Sequence, residues 1–130
     1  MSLVAQLSAF AARIGTEIKG LIRPDHPGLA RAWANFGYVR GAMNLRAAHN
    51  VASVTRLATG RYRVTFATPF ADTDYCWVAT GRSNVATGTI RFAAARSTTD
   101  GKTTTTLDIV CVSGAGSLAD STEVNLVVYR

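Results

Sequence analysis

Residues 59–66, "TGRYRVTF", constrain the fold more tightly than any other stretch. Tyr62, Val64 and Phe66 alternate with Arg61, Arg63 and Thr65, so a strand here has one apolar and one polar face. Thr59-Gly60 is a turn signal at hairpin spacing, and residues 51–58 supply the partner strand. The same grammar recurs every ~8–12 residues along the chain. "RAWANFGYV" and "AMNLRAAHN" are two short runs, and in the first Trp33 and Phe36 fall on opposite phases. "YCWVATG" puts Tyr75 and Trp77 on one face, and Ile90, Phe92 and Ala94 alternate with Thr89, Arg91 and Ala93. "STTDGK" reads as a hairpin turn with Asp100-Gly101 at its tip. "TTTTLDIVCV" pairs across it, and "TEVNLVVYR" is the last strand, with Val124, Leu126 and Val128 facing in. The expectation is a mainly β fold: a β-sandwich or barrel-like head of seven or eight short antiparallel strands. Trp33, Trp77, Tyr62 and Phe66 fit core positions, whereas Tyr38 and Tyr129 are less securely placed.

The segment in front has a different period. Val4, Leu7, Ala11, Ile14, Ile18 and Leu21 are spaced 3 and 4 apart in alternation, a heptad seam on an α-helix. Ser2 is the N-cap, and Arg23-Pro24 ends the pattern. A lone helix of this length is marginal in water, so it needs a partner. Two partners fit: the chain's own body, or copies of itself in a coiled coil, with a trimer compatible with these residues. "RPDHPG" holds two of the three prolines and marks a boundary. The chain divides into an oligomerisation or docking helix at 1–22, a linker at 23–30 and a β head at 31–130.

A search for chemistry returns little. His26 and His49 lack neighbouring ligands at metal spacing and read as surface histidines, so no metal and no cofactor is expected. "SGAGS" at 113–117 lacks the lysine and helix of a phosphate loop and reads as a connection. Asp72 and Asp74 are the one carboxylate pair within reach of glycosidase work, and they also fit an Asx turn. Asp108 alternates out of its strand without an evident partner. Cys76 and Cys111 lie in apolar runs and read as buried free thiols; a disulfide needs a match in space that spacing cannot supply. The expectation is therefore a protein that is not an enzyme.

Net charge is +6, carried by twelve arginines and two lysines. The arginines are spread from Arg13 to Arg130 without a basic run, which suits a positive solvated surface, or one that attracts anionic glycan or lipopolysaccharide, better than nucleic acid. Residues 1–15 lack a basic leader, and no apolar run is long enough for a bilayer, so neither a signal peptide nor membrane insertion is expected.

One resemblance stands out. "WANFGYV", "MNLRAAHNVASVTRLATGRYRVTFATPFADTDYCWVATG" and the final "VNLVVYR" resemble the distal domain of bacteriophage tail fibres and related receptor-binding proteins, over residues 33–130. The resemblance implies a homotrimeric virion protein, assembled in the host cytoplasm. Its helix would attach to a tail or baseplate protein, and its head would contact a host surface glycan or lipopolysaccharide. A trimeric decoration protein on the major capsid protein is the alternative, followed by a glycan-binding module or depolymerase. Under the leading expectation the heptad residues form the trimer seam. Receptor contacts fall in the loops 81–88 and 113–121, at Arg82, Ser83, Asn84, Ser117 and Asp120.

Overall fold

Ser2 caps the first element: its Oγ accepts a hydrogen bond from the Ala5 N–H at 3.2 Å, satisfying one of the free donors of a helix start. The helix, α1, runs Leu3–Leu21 and closes with Ile22 N–H donating to the Ile18 carbonyl. Arg13 and Glu17 pair across one turn at 3.0 Å. No residue of α1 is buried, so its seam finds no cover in its own chain. The computed structural model describes residues 1–23, 25–83, 90–95 and 101–130.

Eight strands follow: β1 (Ala30–Val39), β2 (Ala42–His49), β3 (Val51–Ala58), β4 (Arg61–Phe66), β5 (Cys76–Arg82), β6 (Ile90–Ala94), β7 (Thr106–Ser113) and β8 (Glu123–Tyr129). All join one antiparallel sheet in the order β2-β1-β8-β5-β6-β7-β4-β3. Of the two expected architectures the barrel-like one forms, as a single, nearly closed sheet rather than two stacked ones. Odd strands run away from α1 and even strands return. The linker, the 67–75 loop and the end of β8 thus share the helix end. The β1–β2 and β3–β4 turns, the end of β5 and the connection 114–122 share the far end.

The turns explain the register. Arg40 and Gly41 both have positive φ, the requirement of a two-residue hairpin turn that matches strand twist. Gly60 has φ +66°, and a Cβ there would lie 2.5 Å from the Cys111 carbonyl oxygen, so the expected Thr59-Gly60 turn demands glycine twice over. The hairpin tip at Asp100 lies outside the described residues.

The interior is filled by Ala32, Ala34 and Phe36 of β1, Tyr62, Val64 and Phe66 of β4, Leu107, Ile109 and Cys111 of β7, and Val124, Leu126 and Val128 of β8. Phe66, Phe70 and Tyr75 plug the helix end, with centroids 4.6–5.7 Å apart. Burial pushes the Tyr75 phenol up to about 12 while its O–H donates to the Thr103 and Thr106 carbonyls.

Three expectations are corrected here, for Trp33, Cys76 and Asp108. Trp33 is not core: Phe36 wins the conflict of phase, and Trp33 faces outward, 40% exposed. Cys76 is exposed on the outer face while Cys111 is buried in the interior, and both thiols are free. Asp108 does have a partner: it is only 5% exposed, and Arg63 grips both its oxygens at 2.8 Å. In β6 the apolar set Ile90 and Phe92 faces solvent, because Arg91 and Ala93 take the inward phase.

The sheet's two edges, β2 and β3, are consecutive in sequence, and Asn50 joins them with φ +52°. Its side chain donates to the Arg31 and Thr68 carbonyls and accepts from the Thr68 N–H at 2.7 Å. Asn50→Ala should destabilise the fold by about 2–3 kcal/mol, from lost hydrogen bonds and a strained left-handed backbone. Asn50→Gly should lose only the bonds and fall between Ala and wild type; urea denaturation of the three proteins measures the order.

Candidate functional site

Four of the five expected contact residues fall among the described residues, at the far end; Asn84 does not. Arg82 ends β5, where Thr122 N–H and Oγ1 both donate to its carbonyl. Its guanidinium pairs with Glu123 at 2.8 Å yet stays largely in solvent. Arg82 and Ser83 line a groove of about 320 Å³ with Gly81, Ile90, Arg91 and Phe92. Ser117 is exposed in a tight turn, its carbonyl accepting the Ser113 N–H.

Asp120 is placed differently. Its carboxylate accepts from Arg56 Nε and Nη2 at 2.9 and 2.8 Å, from Gly60 N–H at 2.9 Å and from the Tyr62 hydroxyl at 3.0 Å. The Tyr62 oxygen in turn accepts the Ser121 N–H, and Arg91 Nε donates to the Asp120 carbonyl. One carboxylate thus ties the loop before β8 to β3, to the β3–β4 turn and to β4. Chiefly the Arg56 hydrogen bond holds the Asp120 carboxyl below the usual carboxylate range. Burial foremost drives the Tyr62 phenol upward, so it stays a neutral donor. Arg56 also lies 4.4 Å over the Tyr38 ring, joining β3 to β1 across the seam.

A larger cavity, about 730 Å³, opens at the helix end, and no sequence signal marked it. It is lined by Leu29, Ala30 and Arg31, by His49 and Asn50, by residues 67–71 and by Arg130. It forms where the linker, the β2–β3 corner, the loop after β4 and the chain end meet, four segments far apart in sequence. Beside it Arg130 clamps Asp72 through Nε and Nη2, and Asp72 accepts the Asp74 N–H at 2.9 Å. The carboxylate pair therefore forms the Asx turn, and the Arg130 hydrogen bond, first among several causes, holds the Asp72 carboxyl below its usual range. Among the described residues no three His, Cys, Asp or Glu side chains gather as a metal set, and no helix is long and apolar enough to cross a membrane.

No protein-family model, curated protein or solved structure matches this chain.

Asp120, Asp72 and Glu123 all have carboxyls depressed in the fold, the last mainly by Asn125. Their contribution is present above the unfolded carboxylate value, about 4, and lost as pH falls through the folded one. The thermal midpoint should stay level from neutral pH to about 5 and drop below about 4. Asp120→Asn should lower stability at neutral pH by about 1–3 kcal/mol and make the acid drop shallower, read by melts across that range.

Proposed function

We propose that this chain is a homotrimeric attachment protein of a phage tail, gathered by α1 and meeting a host-surface glycan with the far end of its barrel. The observation that carries the oligomer is α1 itself. Val4, Leu7, Ile14, Ile18 and Leu21 are all exposed on a 19-residue helix with no buried residue. Such a helix is marginal alone, and copies of its own seam supply the missing cover. Leu3 and Phe10 are also exposed and widen the apolar stripe beyond the six seam residues. A wide stripe suits three helices better than the narrow seam of two. On the barrel, Trp33, Val127 and Val78 lie in register on the outer faces of β1, β8 and β5, a second apolar surface for a neighbouring head.

The virion part of the reading is supported by the resemblance of residues 33–130 to tail-fibre distal domains. The head's design agrees with it. The 114–122 loop is anchored from behind by Asp120, and Arg82 and Ser117 are exposed polar groups at the same end. In this reading Asp120 holds the loop.

Light scattering at micromolar concentration should give three times the chain mass. Leu7→Asp with Ile14→Asp should give a monomer whose barrel keeps its near-ultraviolet circular dichroism. A monomeric wild type sinks the oligomer. For the receptor surface, Arg82→Ala should change stability by less than about 0.5 kcal/mol, since an exposed ion pair contributes little. The same variant should lose adsorption to host cells while remaining trimeric.

A further inference from the structure

We propose that the cavity at the helix end of the barrel is a second binding site, taking a saccharide that carries a carboxylate or phosphate group. Its volume, about 730 Å³, lies within the range of small-ligand sites. Its lining combines cations with an apolar wall and includes no acidic residue. Arg31 and His49 have no side-chain hydrogen bond or ion pair with any described residue, so their donors are unused. The third basic group, Arg130, is already neutralised by Asp72 and acts as a fixed wall. The Asn50 amide and the Thr68 backbone satisfy each other, so they do not compete for a ligand. The uncompensated positive charge at the cavity is therefore Arg31, whose planar fork matches the two oxygens of a carboxylate or phosphate.

The rest of the lining says what carries the anion. Leu29 and Pro69 present apolar surface, as the carbon face of a pyranose requires. An isolated inorganic ion would use Arg31 and leave these surfaces empty. The site lies at the opposite end from Arg82 and does not depend on the far-end loops binding anything.

The test is calorimetric titration of the full chain with glucuronate, glucose 6-phosphate, glucose and inorganic phosphate. Both acidic sugars, or one of them, should bind in the millimolar range or tighter, and glucose and inorganic phosphate at least about tenfold more weakly. Whichever acidic sugar binds better identifies the anion. Arg31→Ala should weaken that sugar about tenfold, the worth of one charge-assisted hydrogen bond, with an unchanged thermal midpoint because the side chain has no internal partner. Arg82→Ala should bind it as wild type does, so a failed receptor surface and a failed cavity are told apart. Equal binding of glucose, equal binding of inorganic phosphate, wild-type affinity in Arg31→Ala, or no binding of either acidic sugar overturns the proposal.

Discussion

A sheet of eight strands has two edges, and everything at the helix end of this protein depends on how those edges are brought together. β2 and β3 are hydrogen-bonded on one side only, yet a single residue connects them. Asn50 turns the chain through a left-handed conformation, and its amide reaches β1 on one side and the loop after β4 on the other. Asparagine tolerates that backbone region and brings both a donor and an acceptor, so one side chain does the work of a missing ladder. With the corner fixed, the 67–75 loop is held in place, Phe70 and Tyr75 seat against Phe66, and the floor of the barrel is closed. The cavity beside Arg31 is a consequence of that closure.

The far end solves the same problem by charge. The loop before β8 has no ladder with the β3–β4 hairpin, and the Asp120 carboxylate bridges the two by accepting from β3, from the hairpin turn and from β4. Breaking such a hub strands a partly buried Tyr62 hydroxyl and the Gly60 N–H together, so its members act as a unit. The Arg56 guanidinium serves twice, pairing with Asp120 and stacking on Tyr38, which closes the seam far from Asn50. Loops anchored from behind in this way can present side chains outward at low entropic cost.

The pattern of the sequence and the pattern of the fold agree where the period is strict. Tyr62, Val64 and Phe66, like Val124, Leu126 and Val128, alternate cleanly and are buried as their phase requires. Agreement fails where phases conflict or where burial depends on a neighbour. Trp33 and Phe36 compete for one interior, and no local rule says that the larger ring loses. Asp108 has an outward phase, yet Arg63 of the adjacent strand covers it, a pairing only the β4–β7 register reveals. No Asn-Gly or Asp-Gly pair marks the Arg40-Gly41 turn, and the cavity leaves no mark in the sequence at all. It is assembled from segments whose meeting is a property of topology.

The arginines show the same division. Spread along the chain they look like diffuse solubilising charge. In the fold, Arg13, Arg56, Arg63, Arg82 and Arg130 each answer a carboxylate. In the Arg56, Arg63 and Arg130 pairs two guanidinium nitrogens bind, a geometry lysine cannot provide. That accounts for arginine outnumbering lysine so heavily without invoking nucleic acid. Those pairs leave the carboxylates largely neutralised, so the net positive charge resides on the arginines left over. One of them, Arg31, has no side-chain partner among the described residues and lines the cavity at the helix end. The fold, by deciding which arginines find a carboxylate, decides which end of the barrel carries the residual charge.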